Sequence, residues 1–278
     1  MKTLFLASAA AAALFAAPAV AQDAIGSVGV SYANPSIDTD FGDAEADVWT
    51  VDGTVALPMN DWTVTLNGSV DYVEAFDESD TSGAAAAHFT RMFAPDVRAG
   101  AFAGVSNLGN EELWTAGVEA QKYLAQATLT GQIAYTNADD LLEGVDADIW
   151  TVGVDAAFYL TPQLRLNAGA SYNNVDTDFG DGDAWTYGVG GEYEFANSPF
   201  SLTAGYTRAD IESVDLDVDS WTIGLRYSFG GGIQARDRAG ASLGSPAMTS
   251  ILAGLSLCTR HGKAPADRSA GASSFVGP

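Results

Sequence analysis

The stretch Trp221-Thr222-Ile223-Gly224-Leu225-Arg226-Tyr227-Ser228-Phe229 alternates without a break. Trp221, Ile223, Leu225, Tyr227 and Phe229 share one face, while Thr222, Gly224, Arg226 and Ser228 share the other. Successive side chains of an extended chain point to opposite sides, so strict period two reads as a strand. Residues 150–160 repeat the pattern, with Trp150, Val152, Val154, Ala156, Phe158 and Leu160 opposite Thr151, Gly153, Asp155, Ala157 and Tyr159. A run of this length matches the roughly 9–11 residues a tilted strand needs to cross a bilayer.

Both stretches open on the same phrase: an acid, any residue, then Trp-Thr. It recurs at Asp47/Trp49, Glu112/Trp114, Asp148/Trp150, Asp183/Trp185 and Asp219/Trp221, and Glu45, Asp146, Asp181 and Asp217 stand two residues before four of those acids. The spacing is about 35 residues, with a first gap near two periods, as a β-hairpin used six times would give. Working outward predicts twelve strands, at 24–33, 48–57, 62–73, 84–93, 97–106, 113–124, 126–136, 149–160, 164–173, 185–195, 200–209 and 221–229. Every even strand is followed by a short turn and every odd one by a longer acidic loop. Trp49, Trp114, Trp150, Trp185 and Trp221 open strands on the long-loop side. Trp62, Phe93, Leu160, Phe195, Phe200 and Phe229 lie beside the short turns. Two aromatic bands flanking Val, Ala, Leu and Gly read as interfacial girdles. The expected fold is an all-β, antiparallel, up-and-down transmembrane barrel of about 12 strands. A soluble sandwich with Trp in its core leaves unexplained why these Trp residues share one end and one parity.

The ends carry separate messages. Lys2, the apolar run 4–17 and Ala19-Val20-Ala21 form a secretory signal peptide, predicting residues 1–21 to be removed on export. Residues 22–229 hold 6 Lys or Arg against 34 Asp or Glu, a net of −28. So acidic a body argues against a nucleic-acid partner, where a cationic face dominates affinity. Residues 230–278 hold five basic residues and two acids. This Gly-, Ala- and Ser-rich tail is expected to be disordered or loosely helical. With Cys258 the only cysteine, no intrachain disulfide can form.

The last strand also carries a resemblance. Thr222 to Phe229 spells polar-x-Gly-x-x-aromatic-x-aromatic, and in this the chain resembles the Gram-negative outer-membrane β-barrel, porin-like family. The resemblance implies location in the cell outer membrane among lipid and lipopolysaccharide, and an assembly signal at Gly224, Tyr227 and Phe229 read by the barrel-assembly machinery. A homo-oligomer is a further implication. The chain departs from the family pattern in continuing 49 residues past Phe229.

Parity assigns Asp52, Asp71, His88, Arg98, Glu119, Asp155, Arg165, Glu192 and Arg226 to the lumen, with Arg98, Arg165 and Arg226 facing acids across it. Polar inside and apolar outside is the arrangement of a water-lined channel. The expected function is passive diffusion of small hydrophilic solutes, with acidic loops concentrating cations at the mouth. The alternative is a closed structural or adhesive barrel acting through its loops. A barrel hydrolase would need a base near the outer rim, whereas His88 sits midway along its strand; no catalytic residue is assigned. Gly188-Val189-Gly190-Gly191 lies inside a strand, so it is not a nucleotide loop. No resident cofactor is expected. Asp176, Asp178, Asp181 and Asp183 could supply oxygen ligands to Ca2+, although a solvated acidic loop explains the same residues. The acids before each Trp could bridge divalent ions to lipid headgroups. Either metal reading expects chelation to lower the melting temperature.

Overall fold

The computed structural model describes residues 24–243 apart from six loop tips, at 40–41, 76–77, 109–110, 143–144, 178–179 and 212–215. The expected signal peptide, residues 1–21, therefore lies outside the described residues. The strands are β1 (Ile25–Thr39), β2 (Gly42–Glu45), β3 (Asp47–Met59), β4 (Trp62–Ala75), β5 (Glu78–Ala94), β6 (Val97–Leu108) and β7 (Glu111–Tyr123), followed by β8 (Ala127–Leu142), β9 (Val145–Thr161), β10 (Leu164–Thr177), β11 (Gly180–Glu194), β12 (Phe200–Ile211) and β13 (Leu216–Phe229). Each pairs antiparallel with its chain neighbour, and β13 returns to pair with β1 from Gly26↔Phe229 to Asp38↔Asp217. Closure leaves no edge, which the bilayer interior requires of any sheet that spans it.

The barrel has twelve strands, because β2 and β3 are one strand in one register against β1 (Ser36↔Glu45, Ala33↔Val48). Pro35 stands opposite their junction at Ala46. Proline has no N–H to give, so only one bond crosses there, from Ala46 N to Pro35 O at 3.0 Å. Asn60 and Asn197 adopt left-handed φ (59° and 56°) in short turns, a conformation asparagine tolerates.

Burial is inverted relative to a soluble protein. Thr63, Thr65, Thr90, Thr115, Gln121, Thr128, Gln132, Thr151 and Asn173 are buried, while Val51, Val118, Ile133, Val152, Val154, Val189 and Ile223 are exposed. From Trp150 to Leu160 the chain climbs about 33 Å at about 3.3 Å per residue. A tilt of roughly 40° foreshortens that to about 25 Å, the height of an outer-membrane apolar band.

Two expectations need correction. The long connections are mostly paired strand, not loop: β10 and β11 stay in register out to Thr177↔Gly180. Alternation continues beyond the bilayer, with Ile37, Val73 and Val218 buried there, so the hairpins keep an apolar face to bury. Residues 230–243 of the tail are folded, in part helical. After Phe229, Gly230 and Gly231 take φ of 86° and 132° and turn the chain inward. A helical turn, α1 (Ile233–Arg236), runs into a widened π-helical turn (Asp237–Ala241). Ile233, Arg236, Asp237, Gly240 and Leu243 are its buried residues, spaced as one helical face.

Candidate functional site

All nine lumen candidates lie on the inner parity, each flanked by outward neighbours. Arg226 Nη2 meets Asp52 Oδ2 at 3.0 Å, reaching across the intervening β1. Gly29 on β1 permits this: a Cβ there would lie 2.7 Å from Asp52 Oδ1. His88, 1% exposed, is spent on two neighbours. Its Nδ1 lies 2.8 Å from Glu119 Oε1 and its Nε2 lies 3.2 Å from Asn67 Nδ2. With the Asn67 amide as donor, the ring proton sits on Nδ1 and is given to Glu119. A base so enclosed does not match the rim position a barrel hydrolase needs. Asp71 accepts from Thr50 Oγ1 at 2.5 Å.

The expectation that three arginines face acids holds for Arg226 and fails for Arg98. The Arg98 fork reaches Tyr123 Oη (2.9 Å), Thr63 Oγ1 (2.7 Å), Thr90 Oγ1 (3.1 Å) and the Arg238 carbonyl (3.1 Å). Glu119, the acid on the neighbouring strand, is engaged by His88 instead. Arg165 pairs in register with Tyr159 and Glu192, and its Nε is buried without a partner.

The lumen is occupied at its short-turn end by residues 230–243. Sequence reasoning missed this group, although the spacing 233, 236, 237, 240, 243 is a helical stripe. Thr65 Oγ1 donates to the Gly240 carbonyl (3.0 Å), Asn67 Nδ2 to the Leu243 carbonyl (2.9 Å) and Gln121 Nε2 to Ser242 Oγ (3.3 Å). Thr128 donates to Asp237. Arg236 contributes Nη1 to Glu194 Oε2 at 2.6 Å and Nη2 to Glu192 Oε1 at 3.1 Å. Gln234 and Arg238 reach the Ala125 carbonyl at 3.0 and 3.2 Å, in the turn between β7 and β8. Gly240, at φ 94°, sits against Thr63, Thr65 and Arg98, where a Cβ would be 3.4–3.5 Å from each.

The opposite end is apolar inside. Ile37, Ala46, Val73, Ala209 and Val218 form one buried cluster, and Leu113, Ala138 and Ala147 another, with Val175 against it. The acids that recur before each Trp point the other way, since residues two apart on a strand share a face. Four of the five form clasps on the outside. Tyr32, Tyr135 and Tyr172 donate to Asp47, Asp148 and Asp183 at 2.5, 2.5 and 2.6 Å, and Tyr206 donates to Asp219. Each ring packs on the Trp two residues after that acid, at centroid distances of 4.8–5.3 Å. Asn137 and Asn174 add a second bond to Asp148 and Asp183, both at 3.1 Å. These donors hold the Asp148 and Asp183 carboxyls, which lie beyond the Trp band, below the usual range. In the fifth hairpin Trp114 faces Val105 and Glu112 faces Asn107, so no Tyr clasps that acid; in the sixth Tyr72 faces Thr81, so the missing Trp accounts for the doubled gap.

All five girdle tryptophans are exposed, up to 69% at Trp221. Among the described residues no three acidic, His or Cys groups converge on a metal-sized site. Asp176 stands opposite Asp181 in register, Asp183 belongs to a clasp, and Asp178 lies outside the described residues.

Comparison with known proteins agrees with this geometry. The family model described as "Outer membrane protein beta-barrel domain" matches residues 7–229. No curated relative matches the sequence. Among solved structures, an outer-membrane channel from Pseudomonas putida F1 superposes with a TM-score of 0.55 at 10% identity, over 74% of this chain and 95% of that one. The KdgM porin in complex with disordered oligogalacturonate gives 0.51 at 8% identity, over 73% and 99%. At such identities the likeness is one of fold. The family match covers most of the chain, which therefore belongs to the outer-membrane protein β-barrel family.

Proposed function

We propose that this outer-membrane barrel is a diffusion channel for small hydrophilic solutes, closed in the conformation described and favouring cations when open. The observation that carries the reading is the lumen wall. Threonine, serine, asparagine, glutamine and charged side chains line it around the circumference, and a barrel with no aqueous task can fill its interior with apolar side chains instead. Preference for cations rests on the excess of carboxylates, 34 against 6 basic residues over 22–229, since a strongly acidic body enriches counter-ions near its openings. It does not rest on the clasp acids, which face outward.

Single-channel recording of the refolded full chain in a planar bilayer tests this. Discrete, salt-dependent steps with reversal potentials of cationic sign are expected, infrequent because residues 230–243 occupy the short-turn end. Anion-selective steps would remove the preference. A second reading, a permanently closed barrel acting through its outer hairpins, is favoured by the seating of residues 230–243 in the lumen. It predicts silence even after that segment is displaced. In either reading, recognition of Gly224, Tyr227 and Phe229 by the assembly machinery remains part of the proposal.

A further inference from the structure

Glu192 and Glu194 are two residues apart on β11, so both carboxylates project into the lumen about 7 Å apart along the strand. A single guanidinium spans them. Arg236 gives Nη2 to Glu192 Oε1 (3.1 Å) and Nη1 to Glu194 Oε2 (2.6 Å), with Nη1 also on the Gly231 carbonyl at 2.7 Å. Ser201 Oγ donates to Glu192 Oε1 at 2.8 Å and fixes that carboxylate from the wall side. The three side chains are 8%, 7% and 17% exposed. Arg165 is directly opposite Glu192 in register, yet its Nε stays partnerless while Arg236 takes both carboxylates. The carboxylate pair thus holds a guanidinium arriving from the lumen, while the neighbouring Arg165 acts electrostatically on Asp155.

We propose that Glu192 and Glu194 form a guanidinium-binding site on the lumen wall, with Arg236 as its tethered occupant and small guanidinium-bearing solutes as competitors. The inference deepens the channel reading by naming a solute class; it rests on that reading for passage but not for binding. Chemistry selects the class. Two separated carboxylates match a planar fork of N–H donors, and guanidinium sheds water more readily than an ammonium ion. Leaving two carboxylates unpaired in a water-poor site is costly, so the vacated site retains its demand for a cation.

The test is calorimetric titration of the refolded full chain with ethylguanidinium, against ethylammonium as control. A tethered occupant lowers apparent affinity by the fraction of time it fills the site. Arg236→Ala should therefore bind ethylguanidinium at least about tenfold more tightly than the parent if the tether is seated roughly nine-tenths of the time. Ethylammonium should bind more weakly, and adding Glu192→Gln with Glu194→Gln should abolish the gain. Equal affinity for parent and Arg236→Ala, or affinity indifferent to the double glutamine change, overturns the site. Heat-modifiable gel mobility reports folding; should Arg236→Ala not fold, Arg236→Lys keeps the charge without the fork and carries the same expected order. Parallel conductance separates the two readings: binding in a silent barrel sinks the channel, and conductance without binding sinks the site.

Discussion

The two ends of the lumen carry opposite chemistries. At the long-loop end, side chains such as Ile37, Val73 and Val218 meet without a charge among them. At the short-turn end, residues 230–243 are held by Arg236 on two carboxylates and by hydrogen bonds from Thr65, Asn67, Arg98 and Gln121. The first set of contacts is apolar and should be indifferent to salt and charge. The second depends on particular partners and can be undone at one residue. The two ends thus give two independent handles, and substitution can address each alone.

Arg236→Glu strikes the polar seal hardest. It places a third carboxylate beside Glu192 and Glu194, and breaking a buried pair by removal of one partner alone costs about 3–5 kcal/mol. That shifts the segment's occupancy by two orders of magnitude or more, at about 1.4 kcal/mol per tenfold. Expected outcomes are trypsin cleavage at Arg238, now outside the lumen, and a clear rise in conductance. Cleavage and conductance equal to the parent would show that the ion pair does not hold the segment.

A smaller effect is expected at the apolar seal. Val218→Asp introduces a charge into the outer cluster, at a cost in the usual range of about 0.5–3 kcal/mol for a disruptive substitution. Hydrophobic constrictions gate by dewetting, so a wetted rim should pass more current. On its own the change should do little, because the inner segment still fills the lumen. Combined with Arg236→Glu it should raise conductance beyond that of Arg236→Glu alone. If the two variants conduct alike, the outer cluster is no constriction.

The difference between the ends also explains what the sequence could reveal. Strand number, closure and both aromatic bands were legible because period two is enforced over every crossing, and one slip would expose a whole face to the wrong solvent. The outward direction of the clasp acids was legible in principle: Asp183 and Trp185 are two apart, hence on one face. The acidic run drew attention to charge, while the alternating Ala147 and Ile149 or Val218 set the inner rim. The tail was harder to read. Its stripe has five positions, two of them Arg236 and Asp237, and a charged stripe signals burial only when its partners are known. Those partners, Glu192, Glu194 and Thr128, lie 42 or more residues away in sequence.

The outer clasps form a third region, against which both seals can be calibrated, and the smallest effect belongs here. Tyr172→Phe removes the hydroxyl that Asp183 accepts and keeps the ring on Trp185. The Asp183 carboxyl is held below its ordinary value by Tyr172 first and Asn174 second. A depressed carboxyl stabilises the fold above its unfolded value, near 3.9, and that contribution disappears as pH falls through the folded value. The parent should therefore keep constant urea resistance from neutral pH to about 4 and lose a little below it. Tyr172→Phe should be slightly weaker at neutral pH and show a shallower acid loss, with Asn174 still in place. Conductance should not change, because the clasp faces away from the lumen. A change in channel opening on Tyr172→Phe would mean that the hairpins transmit strain to the rim, and would tie the apolar seal to the girdle.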